Sequence, residues 1–286
     1  MITVQAIYTA PVKSLALQTP ASVFVGPRGI ADDRRFYLVD EVGKLLTQRE
    51  LGKLVQIGAE YTAEPEWLRL NFPDGNTQQG PVILGRGIGT KIWGRPVRGH
   101  VVEGDWQRAL SEFCGQPVHL IAADSAGQAF DEFPVSVVSQ ASLERLNRER
   151  LNQERLNQEQ LNHDRLSQQE PSRQTSGPVS FEGTRFRPNF LLDGCNPHQE
   201  DEWLGGLIQI GSELQLQPIM PDPRCAIVTQ DPQTGERDAD TLRMIMNYRP
   251  SPRNAYFGIY AIVARPGPVS VGDEVQVIKT TDSNPR

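Results

Sequence analysis

Lysine, cysteine and long apolar runs are all scarce in this sequence, and each scarcity excludes a class of protein. Only five of the 29 basic residues are lysines, and the three cysteines are an odd number with no C-x-x-C pair. No segment reaches the ~18 apolar residues of a membrane span, and the first residues lack the basic stretch and apolar run of a signal peptide. We therefore expect free thiols in a reducing cytoplasm, no membrane partner and no intrinsic iron–sulfur cluster of the four-cysteine kind.

The charge balance argues against nucleic acid as the main partner. The formal net charge is −6, whereas proteins that bind a phosphate backbone present a surplus of cations. The 24 arginines suit bidentate recognition of phosphate and carboxylate, although a GC-rich genome would produce the same bias. A chain of 286 residues with 38% hydrophobic residues is typical of a soluble globular protein with roughly two domains.

The first half of the chain has the pattern of a β-rich domain. Residues 2–8 alternate as a strand and lead into a polar turn that contains Lys13, in the kind of loop that often holds binding residues. Short apolar segments separated by turns over residues 54–100 predict a barrel-like or sandwich-like domain. The apolar spacing after Asp105 predicts an amphipathic helix that ends at Gly115.

A five-residue repeat, R-L-N-x-E and its variants, begins at Arg145. A step of five residues advances a helix by ~500°, so successive leucines rotate away from one face and cannot form a coiled-coil seam. We interpret the repeat as an expanded, Gln-rich extension of the preceding helix, which is frayed or disordered through residues 171–177. Ser139, just before that helix, is either a helix cap or a residue near a bound anion.

Residues 185–195 are predicted to form a loop that feeds a buried strand, with Arg185 and Arg187 on the same side of an extended chain and Asn189 two residues further on. Residues 226–229 are predicted to form a strand after Cys225, ended by a D-P-x-T-G turn. Taken alone, Cys225 is either a small buried hydrophobe or a metal ligand or nucleophile, because its arginine neighbour favours the thiolate form.

Several motifs occur together in one order. They are P-V-K-S at 11–14, D-R-R-F-Y-L-V-D at 33–40, T-Q-R-E at 47–50, V-S-Q-A-S-L at 138–143, R-F-R-P-N at 185–189, E-D-E-W at 200–203 and P-R-C-A-I-V-T-Q-D-P-Q-T-G at 223–235. This combination resembles the MOSC-domain proteins, and within them the molybdenum-containing amidoxime-reducing components and their bacterial relatives. The resemblance covers nearly the whole chain except the repeat.

The resemblance implies a molybdenum cofactor, a molybdopterin whose dithiolene holds molybdenum (Mo) and whose coordination one protein cysteine completes. Cys225 matches that metal ligand and catalytic residue. The positions that match the family's cofactor contacts are Lys13, Ser14, Arg35, Ser139, Arg187, Asn189, Pro223 and Arg224. At the family level the resemblance also carries an association with pyridoxal phosphate binding.

The activity that the resemblance implies is the reduction of N-hydroxylated small molecules. The two electrons come from an external donor of the ferredoxin, flavin or cytochrome b5 type, and we expect a monomer. An alternative within the broader family is a molybdenum-cofactor or sulfur carrier that uses Cys225 as a persulfide acceptor.

The expected fold is mainly β with some α. An N-terminal β-rich domain, 1–120, precedes a C-terminal MOSC β-barrel, 121–286, which carries the low-complexity insert at about 145–178. The resemblance implies a cofactor cleft between the two domains.

Overall fold

The computed structural model describes residues 1–125, 127–165, 180–249, 251 and 254–278. In chain order its strands are β1 (Ile2–Ile7), β2 (Ser22–Gly26), β3 (Gly29–Ile30), β4 (Phe36–Asp40), β5 (Leu45–Leu46), β6 (Gly58–Ala63), β7 (Glu66–Asn71), β8 (Thr77–Pro81), β9 (Ile83–Ile92), β10 (Arg95–Glu103), β11 (Val118–Ala123), β12 (Val135–Ser139), β13 (Phe190–Asp193), β14 (Leu207–Ile210), β15 (Leu214–Pro223), β16 (Tyr256–Arg265), β17 (Gly267–Ser270) and β18 (Glu274–Ile278). Its α-helices are α1 (Trp106–Cys114), α2 (Gln140–Arg165), α3 (Gly183–Phe186) and α4 (Thr241–Tyr248), and its 3₁₀ helices are Gly52–Gln56, Gln199–Trp203 and Ala226–Thr229. The expected fold class, mainly β with a few helices, is confirmed.

The N-terminal half is built on a five-stranded sheet with the order β5-β4-β11-β10-β9. Strand β4, next to the edge strand β5, is almost wholly buried because both of its faces are covered. The sheet curls until its two edge strands, β5 and β9, contact each other, so it is nearly a closed barrel. Strands β6, β7 and β8 form a separate antiparallel sheet over the same core.

Helix α1 closes that core as its apolar periodicity predicts. Trp106, Leu110 and Cys114 are buried against the sheet, and Gly115 ends the helix in the left-handed region at φ 75°. Glycine suits this position because it has no Cβ to clash there.

The C-terminal half is a closed seven-stranded barrel with the order β1-β13-β12-β16-β15-β14-β18. Its interior is packed with aliphatic side chains such as Val137, Ile208 and Leu216. Strand β1 pairs with both β13 and β18, so the first strand of the chain completes the C-terminal barrel. The two halves are therefore interlocked by chain connectivity as well as by packing.

Helix α2 contains the five-residue repeat and runs to Arg165. The first three repeats each place an arginine four residues before a glutamate, and the pairs Arg145–Glu149 and Arg150–Glu154 form ion pairs that support an exposed helix. The leucines rotate as predicted, because Leu146 is fully buried whereas Leu151 is 52% exposed. The predicted fraying at 171–177 lies outside the described residues.

Two local predictions are wrong. Residues 226–229 form a 3₁₀ helix, because a short apolar run bounded by turns does not by itself distinguish a strand from a helical turn. Arg185 lies in helix α3, and Arg187 ends that helix in the left-handed conformation at φ 50°, so the two arginines do not share one side of an extended chain. No helix in the described part of the chain is both long and apolar enough to cross a membrane.

Candidate functional site

A cavity enclosing about 820 Å³ of empty space, open solvent included, lies where loops of the N-terminal half meet the mouth of the C-terminal barrel. Seven of the residues singled out from sequence line it, namely Lys13, Ser14, Arg187, Asn189, Pro223, Arg224 and Cys225. They come from three distant parts of the chain, and the fold brings them together around this one cavity.

Backbone strain is concentrated around this cavity. Among the described residues, five non-glycine residues have positive φ, and four of them line the cavity: Ser14 at 72°, Arg34 at 52°, Trp93 at 49° and Arg187 at 50°. Each such residue costs about 1–3 kcal/mol and persists only where its surroundings over-determine it. The directions of these four side chains are therefore set by backbone conformations that are unfavourable for the residues themselves.

Cys225 lies just after the end of β15, so the thiol is presented at the exit of a strand and not at the entrance of one. Its extended backbone, at φ −114°, begins the 3₁₀ helix Ala226–Thr229, and its side chain is half-buried. The loop beyond that helix is fixed to the N-terminal half, because Gln230 Nε2 donates to the carbonyl of Gln48 at 2.9 Å. The sulfur position is thus held from both halves.

The buried Lys13 forms an ion pair with Asp131, whose side chain is partly exposed. Its Nζ donates to Asp131 Oδ1 at 2.8 Å, and the same oxygen accepts the indole N–H of Trp93 at 2.8 Å. Burial lowers the pKa of Lys13, while Lys13 and Arg34 outweigh the effect of burial on Asp131 and hold the pKa of that carboxyl well below its usual range. The Asp131 carboxylate is therefore ionised at neutral pH and accepts from both donors.

Arg34 and Arg187 are two further cations of the cavity, and they differ in the acceptors that lie next to their guanidinium groups. Arg34 contacts the carboxylate of Asp33, and Asp33 together with Asp131 outweighs burial and raises the pKa of Arg34. Arg187 donates from Nη2 to the carbonyl of Leu15 at 2.6 Å, and burial followed by the charge of Arg34 lowers its pKa to about 10. A bound anion would relieve this positive potential.

Arg224 is fixed beside the cysteine by main-chain carbonyls. Its Nε donates to the Phe257 carbonyl at 2.7 Å and its Nη1 to the Phe186 carbonyl at 2.9 Å, while Nη1 also lies 2.9 Å from Asp222 Oδ2. Its Nη2 is buried and has no hydrogen-bond partner among the described residues. Burial raises the pKa of Asp222 to about 6, although Arg224 acts in the opposite direction.

Asn189 acts as a connector on the cavity wall. Its Oδ1 accepts from the Ser136 backbone N–H at 3.0 Å, and its Nδ2 donates to Asp33 Oδ2 at 2.9 Å. Asp33 in turn accepts the backbone N–H of Ala10 at 2.8 Å and contacts Arg34. The amide therefore ties the C-terminal barrel to the loop that orients Arg34.

Two of the residues singled out from sequence do not line the cavity. Arg35 donates to the carbonyl of Ala123 and lies 3.4 Å from Glu66, so its neighbour Arg34 occupies the cavity wall. Ser139 is fully buried, and its hydroxyl donates to Glu200 Oε2 at 2.9 Å beside Ser142. Burial raises the pKa of Glu200, and this buried cluster fixes the start of α2.

Sequence reasoning missed several residues that line the cavity: Arg34, Thr47, Gln48, Arg49, Trp93, Phe130, Asp131, Phe133, Ser136, Phe186, Asp222, Ile227, Val228 and Tyr260. Arg34 and Arg49 lie inside two of the motifs described above, so the motifs indicated the right segments although other residues were predicted to contact the cofactor. Trp93 and Asp131 lie in turns with no chemical pattern in the sequence. Among the described residues, no three His, Cys, Asp or Glu side chains cluster as metal ligands.

Comparison with known proteins assigns the two halves of the chain to known domain types. Residues 1–117 match the MOSC N-terminal beta barrel domain, and residues 116–276 match the MOSC domain. A mouse protein named mitochondrial amidoxime-reducing component 1 is 26% identical over 311 aligned positions, which cover 96% of this chain and 82% of the mouse protein. The human protein of that name is 34% identical over 106 positions, about a third of each chain.

A bovine protein named molybdenum cofactor sulfurase is 25% identical over 300 positions, which cover 94% of this chain and 32% of the bovine protein. Among solved structures, the YUAD protein from Bacillus subtilis matches over 98% of both chains with 13% identity and a TM-score of 0.43.

Proposed function

Because this chain belongs to the MOSC family, with a MOSC N-terminal beta barrel domain ahead of its MOSC domain, we propose that it is a molybdenum-cofactor-dependent reductase of N-hydroxylated compounds. The observation that carries the proposal is that Cys225 shares one cavity with Lys13, Arg34, Arg187 and Arg224. A thiolate is a soft ligand for a metal of this kind, and arginines suit a phosphate. The name of the bovine relative agrees with this choice of cofactor, and the name of the mouse relative agrees with the reduction of an N-hydroxylated compound.

The residues of the cavity fit the cofactor on three counts. The Nη2 of Arg224 is a hydrogen-bond donor that none of the described residues uses. The lowered pKa of Arg187 marks a place where an anion, such as a terminal phosphate, would stabilise the charged guanidinium. Since the described residues offer no cluster of protein metal ligands, a metal at Cys225 would take its other ligands from the cofactor itself.

When bound, the molybdenum cofactor supplies a two-electron reduction in which N–OH, two electrons and two protons give N–H and water. The chain positions the substrate and keeps the reaction away from bulk water. Phe130, Phe133 and Phe186 give the cavity apolar aromatic walls that suit aromatic N-hydroxylated compounds. Burial, followed by the charge of Asp222, raises the pKa of Tyr260, so its hydroxyl keeps its proton and is a hydrogen-bond donor on the same wall.

The electrons are proposed to come from a separate protein of the ferredoxin, flavin or cytochrome b5 type. The three cysteines Cys114, Cys195 and Cys225 are too few to hold a four-cysteine iron–sulfur cluster within this chain. This supports an external protein as the source of the electrons.

Metal analysis of protein produced in a host that makes the cofactor tests this proposal. We expect stoichiometric molybdenum in the wild type, its loss in Cys225→Ala and its retention in Cys195→Ala, a matched control at the second half-buried thiol. Benzamidoxime reduction with dithionite-reduced viologen then measures catalysis without a protein donor. Molybdenum-loaded protein that fails to reduce benzamidoxime would refute the reductase for this substrate class.

The same samples test the alternative. Intact-mass analysis that finds a persulfide on Cys225 in molybdenum-free protein would favour a sulfur carrier. The relative named molybdenum cofactor sulfurase makes this outcome worth measuring.

A further inference from the structure

A groove runs along the seam of the N-terminal barrel, where the edge strands β5 and β9 face each other. The turn between β4 and β5 lies against β9, since a Cβ on Gly43 would be 3.6 Å from Cδ1 of Ile88. The groove encloses about 1240 Å³ of empty space, open solvent included. Its apolar and cationic lining includes Val42, Lys44, Leu45, Lys91, Trp93 and Pro96. We call this surface the seam groove.

The seam groove is locally positive on a chain whose net charge is −6. Lysine occurs five times in the sequence, and two of the five, Lys44 and Lys91, are exposed in this groove. Neither has a carboxylate partner among the residues that the structure describes. The groove's Glu50 is already engaged, because its Oε2 accepts from the backbone N–H of Thr47 at 3.0 Å and from its hydroxyl at 2.7 Å.

The groove has features of a protein-binding surface. Val42 is 86% exposed and Trp93 is 38% exposed, and the guanidinium of Arg49, a residue of the neighbouring cavity, lies 3.9 Å from the centroid of the Trp93 ring. Tryptophan and arginine are the residue types that most often dominate binding at protein interfaces. Exposed apolar side chains together with two lysines favour an acidic protein partner.

Trp93 connects this surface to the cavity. Among the described residues it is the one that lines both the groove and the cavity that contains Cys225. Its indole N–H donates to Asp131, which holds Lys13 inside the cavity. A partner seated in the groove would therefore contact an aromatic ring whose other side belongs to the cofactor cavity.

We propose that the seam groove is the docking surface for an acidic protein that donates one electron at a time to the cavity. This inference rests on the proposed reductase function. In each productive encounter the reduced iron–sulfur, flavin or haem protein is oxidised by one electron, and two encounters supply the two electrons that the N–OH reduction consumes. The protons come from water, and the nitrogen–oxygen bond is the one that breaks.

Charge reversal in the groove tests the surface without touching the cavity. The double variant Lys44→Glu, Lys91→Glu is compared with the control double variant Arg148→Glu, Arg243→Glu, which makes the same change in net charge at exposed positions on α2 and α4. Three acidic donors are used as probes, namely a [2Fe–2S] ferredoxin, a flavodoxin and the soluble domain of a b5-type cytochrome. The readouts are benzamidoxime turnover and donor binding by surface plasmon resonance at low and high salt.

We expect the groove variant to raise KM for the productive donor by roughly tenfold at low salt, because rim charges act mainly on the association rate. The difference should shrink at high salt, where screening removes the steering. Turnover with dithionite-reduced viologen should equal that of the wild type in both double variants, which separates this proposal from the proposed function. Loss of viologen-driven turnover in the wild type would refute the reductase itself.

Three outcomes overturn the docking surface. In the first, the groove variant and the control variant have equal KM for the donor. In the second, all three acidic donors fail although viologen supports turnover. In the third, light scattering finds a wild-type dimer that the groove variant converts to a monomer, which would identify a second copy of this chain as the occupant.

Discussion

The variant Gly52→Ala is expected to separate the loop that follows Cys225 from the N-terminal half. A Cβ on Gly52 would lie 2.1 Å from the carbonyl oxygen of Gly235, in the D-P-Q-T-G turn. The same contact is supported by a hydrogen bond of 2.9 Å from Gln56 Nε2 to the carbonyl of Thr234. Two backbones approach here at a distance that only a pair of glycines permits.

The magnitude follows from that distance. Ordinary contact begins at 3.4 Å, so the two segments would have to open by about 1.3 Å, the difference between 3.4 and 2.1. Overpacking of this kind costs about 1–3 kcal/mol. Because Gly52 does not have a positive φ, alanine strains no backbone there, and without the contact the change would stabilise the protein by about 0.4–1 kcal/mol through the unfolded chain. A loss of stability would therefore indicate that the contact exists, and a gain in stability would indicate that it does not.

Thermal unfolding and molybdenum content of purified protein check the prediction. We expect a melting temperature lower by roughly 2–8 °C and a lower metal content, because the turn that carries the strain continues from the Cys225 loop. Gly75→Ala is the control, since Gly75 has a φ of 88° and nothing lies within 4 Å of an added Cβ, so it reports backbone strain alone. A Gly52→Ala protein as stable as the wild type, with full molybdenum, would refute the docked arrangement.

Three further variants test other parts of the structure. Leu146→Ala should lower the free energy of unfolding by about 3 kcal/mol, whereas Leu151→Ala should change it by less than about 0.5 kcal/mol, both by urea titration, because the repeat buries the first leucine and exposes the second. Arg185→Met should destabilise by about 1.5–3 kcal/mol, since it removes charge-assisted hydrogen bonds from the buried Arg185 to the partly exposed Asp238, and adding Asp238→Asn should recover part of the loss. Burial lowers the pKa of His198 to about 3. The stability that the neutral imidazole contributes is therefore complete above the unfolded pKa of about 6.5 and is lost as pH falls toward 3. His198→Asn should reduce this pH dependence of the free energy of unfolding by up to about 1.4 kcal/mol per pH unit.

The sequence predicted those parts of the site in which the reactive or charged residue itself lies within a recognisable motif. Cys225 and Arg224 are adjacent to the prolines that end β15, and Lys13 lies in the turn after β1, so a motif in the sequence names the residue that reaches the cavity. Helix α1 was predictable for a similar reason, because its apolar spacing alone determines which face is buried.

The parts that could not be predicted depend on a single dihedral angle or on a distant contact. Arg34 and Arg35 are adjacent, and a left-handed φ at Arg34 decides which of them lines the cavity. Ser139 resembles a helix cap or an anion ligand until the fold places Glu200 beside it, 61 residues further along the chain. Asp131 becomes part of the site only because Lys13, 118 residues away, donates to it.

The cavity is electrostatically divided, and the division explains why its arginines are not interchangeable. Arg34 has the carboxylate of Asp33, and its pKa is raised despite burial; Arg187 has a carbonyl and the charge of Arg34, and its pKa is lowered. The charge of the Arg34 guanidinium is thus balanced by a neighbouring carboxylate, whereas that of Arg187 has no directly contacting carboxylate among the described residues. An anionic ligand gains more by binding at Arg187 than at Arg34. The protein's own carboxylates therefore favour binding of an anion at Arg187 over binding at Arg34.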